Sequence, residues 1–464
     1  MSKTASSSAR WGRRVLLGLG AFLLVIVLAY GVAFISTGHS QLARAIVWLD
    51  SDVDDIDRFP SRAIEASTAS ELPEAFDGAT AAAFGRLDPA LGATGDLESF
   101  LTDTESTALL VLRDGVLVHE WYAEGIDRET LQTSFSVSKS FLSTLIGIAI
   151  DDGSLGSLED PITEYVPELL ERDPRFSTIT LKNLITMSAG LAYSEDKTLW
   201  GDGAKTYYSP DLRSTALTAV IEEEPGQTWL YNNYNPLLLG MVLERATGQS
   251  VTDYMGDVLW GPLGAGADAS WSLDSDASGF EKMESGVNAR AIDFARFGLM
   301  ASHGGLVDGE QIVSQQWMED ATAVDITSNP DAHYQYFWHV YPTAENVIEI
   351  DPNRAPQGET KFDPQGAPLD RQLDEPLDDP LGDDGSAPFG DPDFLPLGDD
   401  LETVESRVAD FSAEGNFGQM IYVAPNEDTV IVRLGRSYAD TYWPGLLGAL
   451  AHELGPVDAL RVTP

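Results

Sequence analysis

The chain has 464 residues, 28 Lys and Arg against 74 Asp and Glu, six His, no Cys, and a net charge of −46. With 43 % hydrophobic residues it is rich enough to bury a large core, and its length suits one composite domain or two smaller ones. The missing Cys excludes disulfides, thiolate metal sites and a cysteine nucleophile, and the acidic balance excludes nucleic acid as a partner, because phosphate binding needs clustered cations.

In chain order, residues 1–14 hold Lys3, Arg10, Arg13 and Arg14 and read as a cytoplasmic tail. Val15 to Ile35 carry no charge over 21 residues, roughly 31 Å as a helix, so a transmembrane helix is expected there. The alternative is a cleaved signal peptide, whose apolar stretch is normally shorter. The expected location is the cell membrane, crossed once, with the catalytic part outside. Residues 36–80 read as a membrane-proximal stalk, and 81–455 as the catalytic domain.

Within that domain, Ala108 to Tyr122 has two β-rich runs around Arg113-Asp114-Gly115, a hairpin signature. Val137, Phe141, Leu145, Ile148 and Ala149 then recur at helical spacing, and residues 134–345 alternate helical patterns with Gly/Pro turns. Residues 363–400 contain 12 acidic residues, seven Pro and a single basic residue, Arg371, and read as a disordered insertion. They match no calcium-loop pattern. Gln419 to Arg433 is a second hairpin around Pro425-Asn426-Glu427-Asp428, and Trp443 to Leu454 a final helix. Hairpins near both ends with helices between them predict an α+β fold: an antiparallel sheet flanked by helices, with a mainly helical region inserted.

Three stretches carry candidate chemistry. In Ser136-Val137-Ser138-Lys139 the Ser sits at the mouth of an apolar helix, with the Lys one turn away on the same face. Such a pair activates a hydroxyl, through the ammonium field or through the neutral amine as base. The same spacing at Ser194 and Lys197 lies in a polar loop with no helix behind it. Tyr231-Asn232-Asn233 offers a phenol that serves as proton shuttle beside a cation, and an amide that orients a substrate carbonyl. Taken alone, these are a core Tyr and a helix cap. Trp229 beside them lines either the cleft or the core. Asn416-Phe417-Gly418-Gln419 opens the late hairpin, where a Gly-rich strand edge lets backbone N–H groups reach a ligand.

In this order the three resemble the serine β-lactamase and penicillin-binding protein superfamily, on its class C-like side with esterases and 6-aminohexanoate-dimer hydrolases. Thr180 to Leu191, Asp160 to Glu168 and Asn233 to Glu244 add to the likeness, which spans roughly residues 95–345 and 408–455. The resemblance implies Ser136 as acylated nucleophile, Lys139 as its activator, Tyr231 as proton shuttle, and Asn233, Asn416 and Gly418 as substrate contacts. It also implies an oxyanion hole from the N–H groups of Ser136 and Gln419, and a β-lactamase/DD-peptidase-like fold. No metal or cofactor is called for. Where β-lactamases carry Lys-Thr-Gly, the matching positions read Asn416-Phe417-Gly418, with no cation to hold a β-lactam carboxylate. The expected substrate is a small ester or amide, and the expected enzyme a carboxylesterase. An amidase or peptidase on peptidoglycan-like amides, and a non-catalytic envelope receptor of the same fold, are the alternatives.

Overall fold

The computed structural model describes Leu17 and residues 40–456, apart from 69, 71, 195–197, 325–330, 332 and 342–408. The sheet is built where strands bury both faces. Strand β2 (Ser106–Arg113) sends Ala108, Leu110 and Leu112 into one hydrophobic cluster and Leu109 and Val111 into a second. That is the period-two alternation of a strand. Strands β12 (Gln419–Ala424) and β13 (Thr429–Gly435) alternate in the same way.

Seven antiparallel strands result, in the order β3-β2-β13-β12-β11-β10-β9. Here β3 is Val116–Tyr122, β9 Tyr334–Gln335, β10 Trp338–Tyr341 and β11 Asp410–Gly415. The early hairpin meets the late one directly, with Leu110 paired to Val432. The expected antiparallel sheet made from both chain ends is therefore present. A smaller sheet has the order β1-β5-β6-β4, from Ser61–Ile64, Ala269–Ser272, Val287–Arg290 and Leu131–Thr133. One helix, Ala291–Ser302, packs on β2, β12 and β13 from the inner side. It comes so close that a Cβ on Gly298 would stand 2.6 Å from Ile421 and 2.7 Å from Val430. The C-terminal helix Trp443–Leu454 covers the other face.

Two expectations need correction. Among the described residues no helix is long and apolar enough to cross a membrane, so the α/β architecture of the expected fold class is found and its transmembrane helix is not supported. Of the stretch 15–35 on which that helix was expected, only Leu17 is described. Nor do the described residues of 36–80 stand off as a stalk. Arg44 is buried and donates to the carbonyls of Tyr208 (3.3 Å) and Asp274 (2.6 Å). Trp48, Phe59, Tyr207 and Tyr208 form an aromatic cluster, and β1 pairs with β5. The apolar side chains of this segment made it adhere. The acidic insertion 363–400 lies outside the described residues.

Candidate active site

Ser136 stands at the N-terminus of the helix Val137–Asp151, whose residues are buried from Val137 to Ala149. The residue before it, Phe135, has φ +46°, an uncommon backbone state for a bulky side chain, and this sharp turn delivers Ser136 to the helix mouth. Serines fix the helix to its surroundings. Ser138 Oγ accepts from Val287 N–H at 2.9 Å, and Ser140 Oγ donates to the Phe337 carbonyl at 2.7 Å.

Lys139 is fully buried, and its Nζ donates to Ser136 Oγ at 2.8 Å and to the Glu284 carbonyl at 3.0 Å. The same Nζ lies 4.8 Å from the centroid of the Tyr231 ring. Tyr231, far along the chain, thus meets the Ser136–Lys139 pair. Tyr231 leans on a wall of aromatic rings, with Trp229 at 6.3 Å and Tyr334 at 6.0 Å between centroids. Trp229 packs against Tyr334 as well, at 5.5 Å, so it belongs to this wall. Asn233 donates from Nδ2 to the Tyr193 hydroxyl at 3.0 Å, while its Oδ1 is buried with no hydrogen-bond partner among the described residues. The cap of the following helix, Tyr234–Thr247, falls to its neighbour Asn232, whose Oδ1 accepts from Tyr234 N–H at 2.9 Å. The amide of Asn233 is therefore not spent on capping.

The late hairpin contributes differently from the expectation. A Cβ on Gly415 would lie 2.3 Å from the Ser134 carbonyl oxygen and 3.0 Å from Ser136 N, so the end of β11 presses on the nucleophile's own backbone. Gln419 is turned inward: its N–H donates to the Asn416 carbonyl, and its side chain bonds Gly435. Gly418 packs against Arg433 and Trp443. Asn416 donates from Nδ2 to Ser51 Oγ at 3.0 Å. Of this motif, the residue brought to Ser136 is Gly415, three positions before the expected glycine. The triplet ending there is Ala413-Glu414-Gly415, which again has no cation. The ring of Phe417 joins the cleft side at 5.2 Å from Phe135.

Two supports were not visible in the sequence. Glu284 forms a buried ion pair with Lys282 at 2.8 Å and accepts from Ser285 Oγ at 2.9 Å, which fixes the carbonyl that receives Lys139. Burial pushes the Lys282 ammonium below its usual pKa, and Glu284 opposes that shift. Arg433 is the second. Its guanidinium reaches the carbonyls of Phe417 (2.6 Å), Gly418 (3.0 Å) and Thr104 (3.0 Å) and stacks on Trp443, so it clamps the turn after Gly415. Burial pushes its pKa down to about 9. No spacing rule marks a charged residue whose partners are main-chain oxygens. A cavity of about 570 Å³ beside Tyr234, lined by Gln41, Asp202, Lys205 and Thr218 among others, has none of Ser136, Lys139 or Tyr231 in its wall.

The sequence pattern of the family described as Beta-lactamase matches residues 96–439. The chain belongs to the β-lactamase family. That family's relatives are serine hydrolases. Over 253 residues this member is 31 % identical to the 6-aminohexanoate-dimer hydrolase of Paenarthrobacter ureafaciens. The match takes in 51 % of the chain and 62 % of that enzyme, less than two thirds of its length. Its fold resembles a Bacillus anthracis structure named as a 6-aminohexanoate-dimer hydrolase candidate, with a TM-score of 0.61 at 19 % identity over 85 % of this chain and 91 % of the other. A class C β-lactamase from Rhodobacter sphaeroides superposes with a TM-score of 0.50 at 20 % identity, covering 82 % of this chain and 98 % of that one. The expected superfamily is thereby shown.

Proposed function

We propose that this family member is a serine hydrolase that cleaves small linear amides or esters through an acyl-enzyme on Ser136. The observation that carries the reading is the contact between Lys139 Nζ and Ser136 Oγ at 2.8 Å, made where Lys139 is shielded from water. In the proposed cycle Ser136 Oγ attacks the substrate carbonyl carbon. Its proton passes to the Lys139–Tyr231 pair, and Tyr231 delivers a proton to the departing amine or alcohol. Water then attacks the acyl carbon by the reverse proton path. The negative oxygen of the tetrahedral state falls beside Ser136 N–H, at the positive end of the helix and against the backbone of Gly415.

Three features support a linear substrate over a β-lactam. Neither Ala413-Glu414-Gly415 nor Asn416-Phe417-Gly418 supplies the cation that would hold a β-lactam carboxylate. The relative at 31 % identity is named for hydrolysing an aminohexanoate dimer. Aromatic walls from Trp229, Tyr231 and Tyr334 suit an extended aliphatic chain.

The test is a fluorophosphonate probe on the full chain, followed by mass spectrometry. Label is expected on Ser136, absent from Ser136→Ala, and slowed by at least about 100-fold in Lys139→Met. The labelled enzyme's substrates are then sought among linear amides, esters and β-lactams. A folded protein that takes no label would refute the proposal.

A further inference from the structure

On the face of the large sheet turned away from Ser136, three separate segments bring together one imidazole and two carboxylates. Asp410 opens β11, Glu427 sits in the turn between β12 and β13, and His452 lies in the last turn of the C-terminal helix. One ligand atom from each lies within 4.8 Å of the others. His452 Nε2 is 2.9 Å from Asp410 Oδ2, and its Nδ1 is 3.8 Å from Glu427 Oε1.

Asp410 is 1 % exposed and Glu427 7 %. Two carboxylates withdrawn from water need compensating charge and hydrogen bonds. Asp410 Oδ2 has them, from the Tyr422 hydroxyl at 2.8 Å and from His452. Asp410 Oδ1 does not: it is buried and has no hydrogen-bond partner among the described residues. The unpartnered oxygen belongs to the same carboxylate whose Oδ2 meets His452.

We propose that Asp410, Glu427 and His452 bind a divalent transition-metal ion of the zinc or manganese class. The imidazole nitrogen disfavours calcium and magnesium, which take oxygen ligands. Neighbouring ligands of a tetrahedral zinc lie about 3.4 Å apart, from bonds of about 2.1 Å. The ligand atoms of the three residues, all within 4.8 Å of one another, need to draw in by about an ångström to reach that spacing. Tyr422 then supports Asp410 from outside the coordination sphere. Asp410 and Gly415 are the two ends of β11, about 17 Å apart at about 3.3 Å per residue. The ion ties the C-terminal helix to the sheet and takes no part in hydrolysis.

The test uses the full chain after treatment with EDTA, titrated with Zn²⁺ in a calorimeter and melted with and without the ion. One saturable equivalent is expected, with a rise of several degrees in Tm. Both are lost in His452→Ala, while probe labelling of Ser136 stays unchanged on metal removal. His452→Gln carries the same test if the alanine variant does not fold. The proposal is overturned if the wild type shows no saturable equivalent. It is equally overturned if that equivalent survives substitution of His452, which would place the ion on other acidic groups of the chain.

Discussion

Lys139 Nζ donates to two oxygens, and each sets a limit on the other. The Glu284 carbonyl holds the amine in place beside Ser136 and 4.8 Å from the centroid of the Tyr231 ring. A lysine held this way loses little entropy on meeting its serine, which is part of what a catalytic site has to prepare in advance. His119 shows the opposite economy. It lies on β3, its Nε2 is buried without a hydrogen-bond partner among the described residues, and burial pushes its pKa below the usual imidazole value, with Glu120 opposing. The unfolded chain therefore binds a proton that the folded chain refuses. Stability from this group is full above about pH 6.5 and falls as the pH drops below it. In His119→Gln the melting temperature should fall less than in the wild type between about pH 7.5 and pH 5. Equal falls would contradict this account. At this scale the pairing of Ser136 with Lys139 was legible, because a spacing of three puts both on one face at a helix mouth. Glu284 and Arg433 were not, because what they do depends on which carbonyls the fold brings to them.

At the mouth of the helix Val137–Asp151, the end of β11 packs on Ser134 and Ser136 through Gly415. Gly415 has extended backbone angles that any residue adopts, so its requirement is steric, not conformational. A methyl group there would intrude on the Ser134 carbonyl at 2.3 Å. Gly415→Ala should cost about 1–3 kcal/mol in stability and slow probe labelling of Ser136 by more than about tenfold. Labelling at the wild-type rate would show that this contact does not position the nucleophile. Both hairpins and the central helix were readable from alternation and helical spacing. The placement of the glycine was not: Gly415 and Gly418 stand three apart in one turn, and only tertiary packing separates the one against Ser136 from the one against Arg433.

Across the whole molecule, the segment at 40–60 is a strap. Its contacts run from Tyr208 and Asp274 on one side to Asn416 and Arg436 on the other, through Arg44, Ser51 and Asp54. A chain beginning at Ser61 would lose the burial of Phe59 and Ala45 and the pairing of Ser51 with Asn416. It should be less stable by at least about 3 kcal/mol, measured by urea unfolding. An unchanged midpoint would mean that the strap merely rests on the surface. Residues 36–80 read as a membrane-proximal stalk; the apolar Trp48 and Phe59 pack instead with Tyr207 and Tyr208.

The pairing of Leu110 with Val432 also governs how the protein comes into being. Strands β2 and β3 leave the ribosome long before their partner β13. The centre of the sheet is thus assembled from contacts of very large sequence separation, which fold slowly because a long loop must close first. Until then the nucleophile's helix exists without the strand end that presses on Ser136. The surroundings of Ser136 are therefore complete only once β11 and the strands beside it have been made and paired.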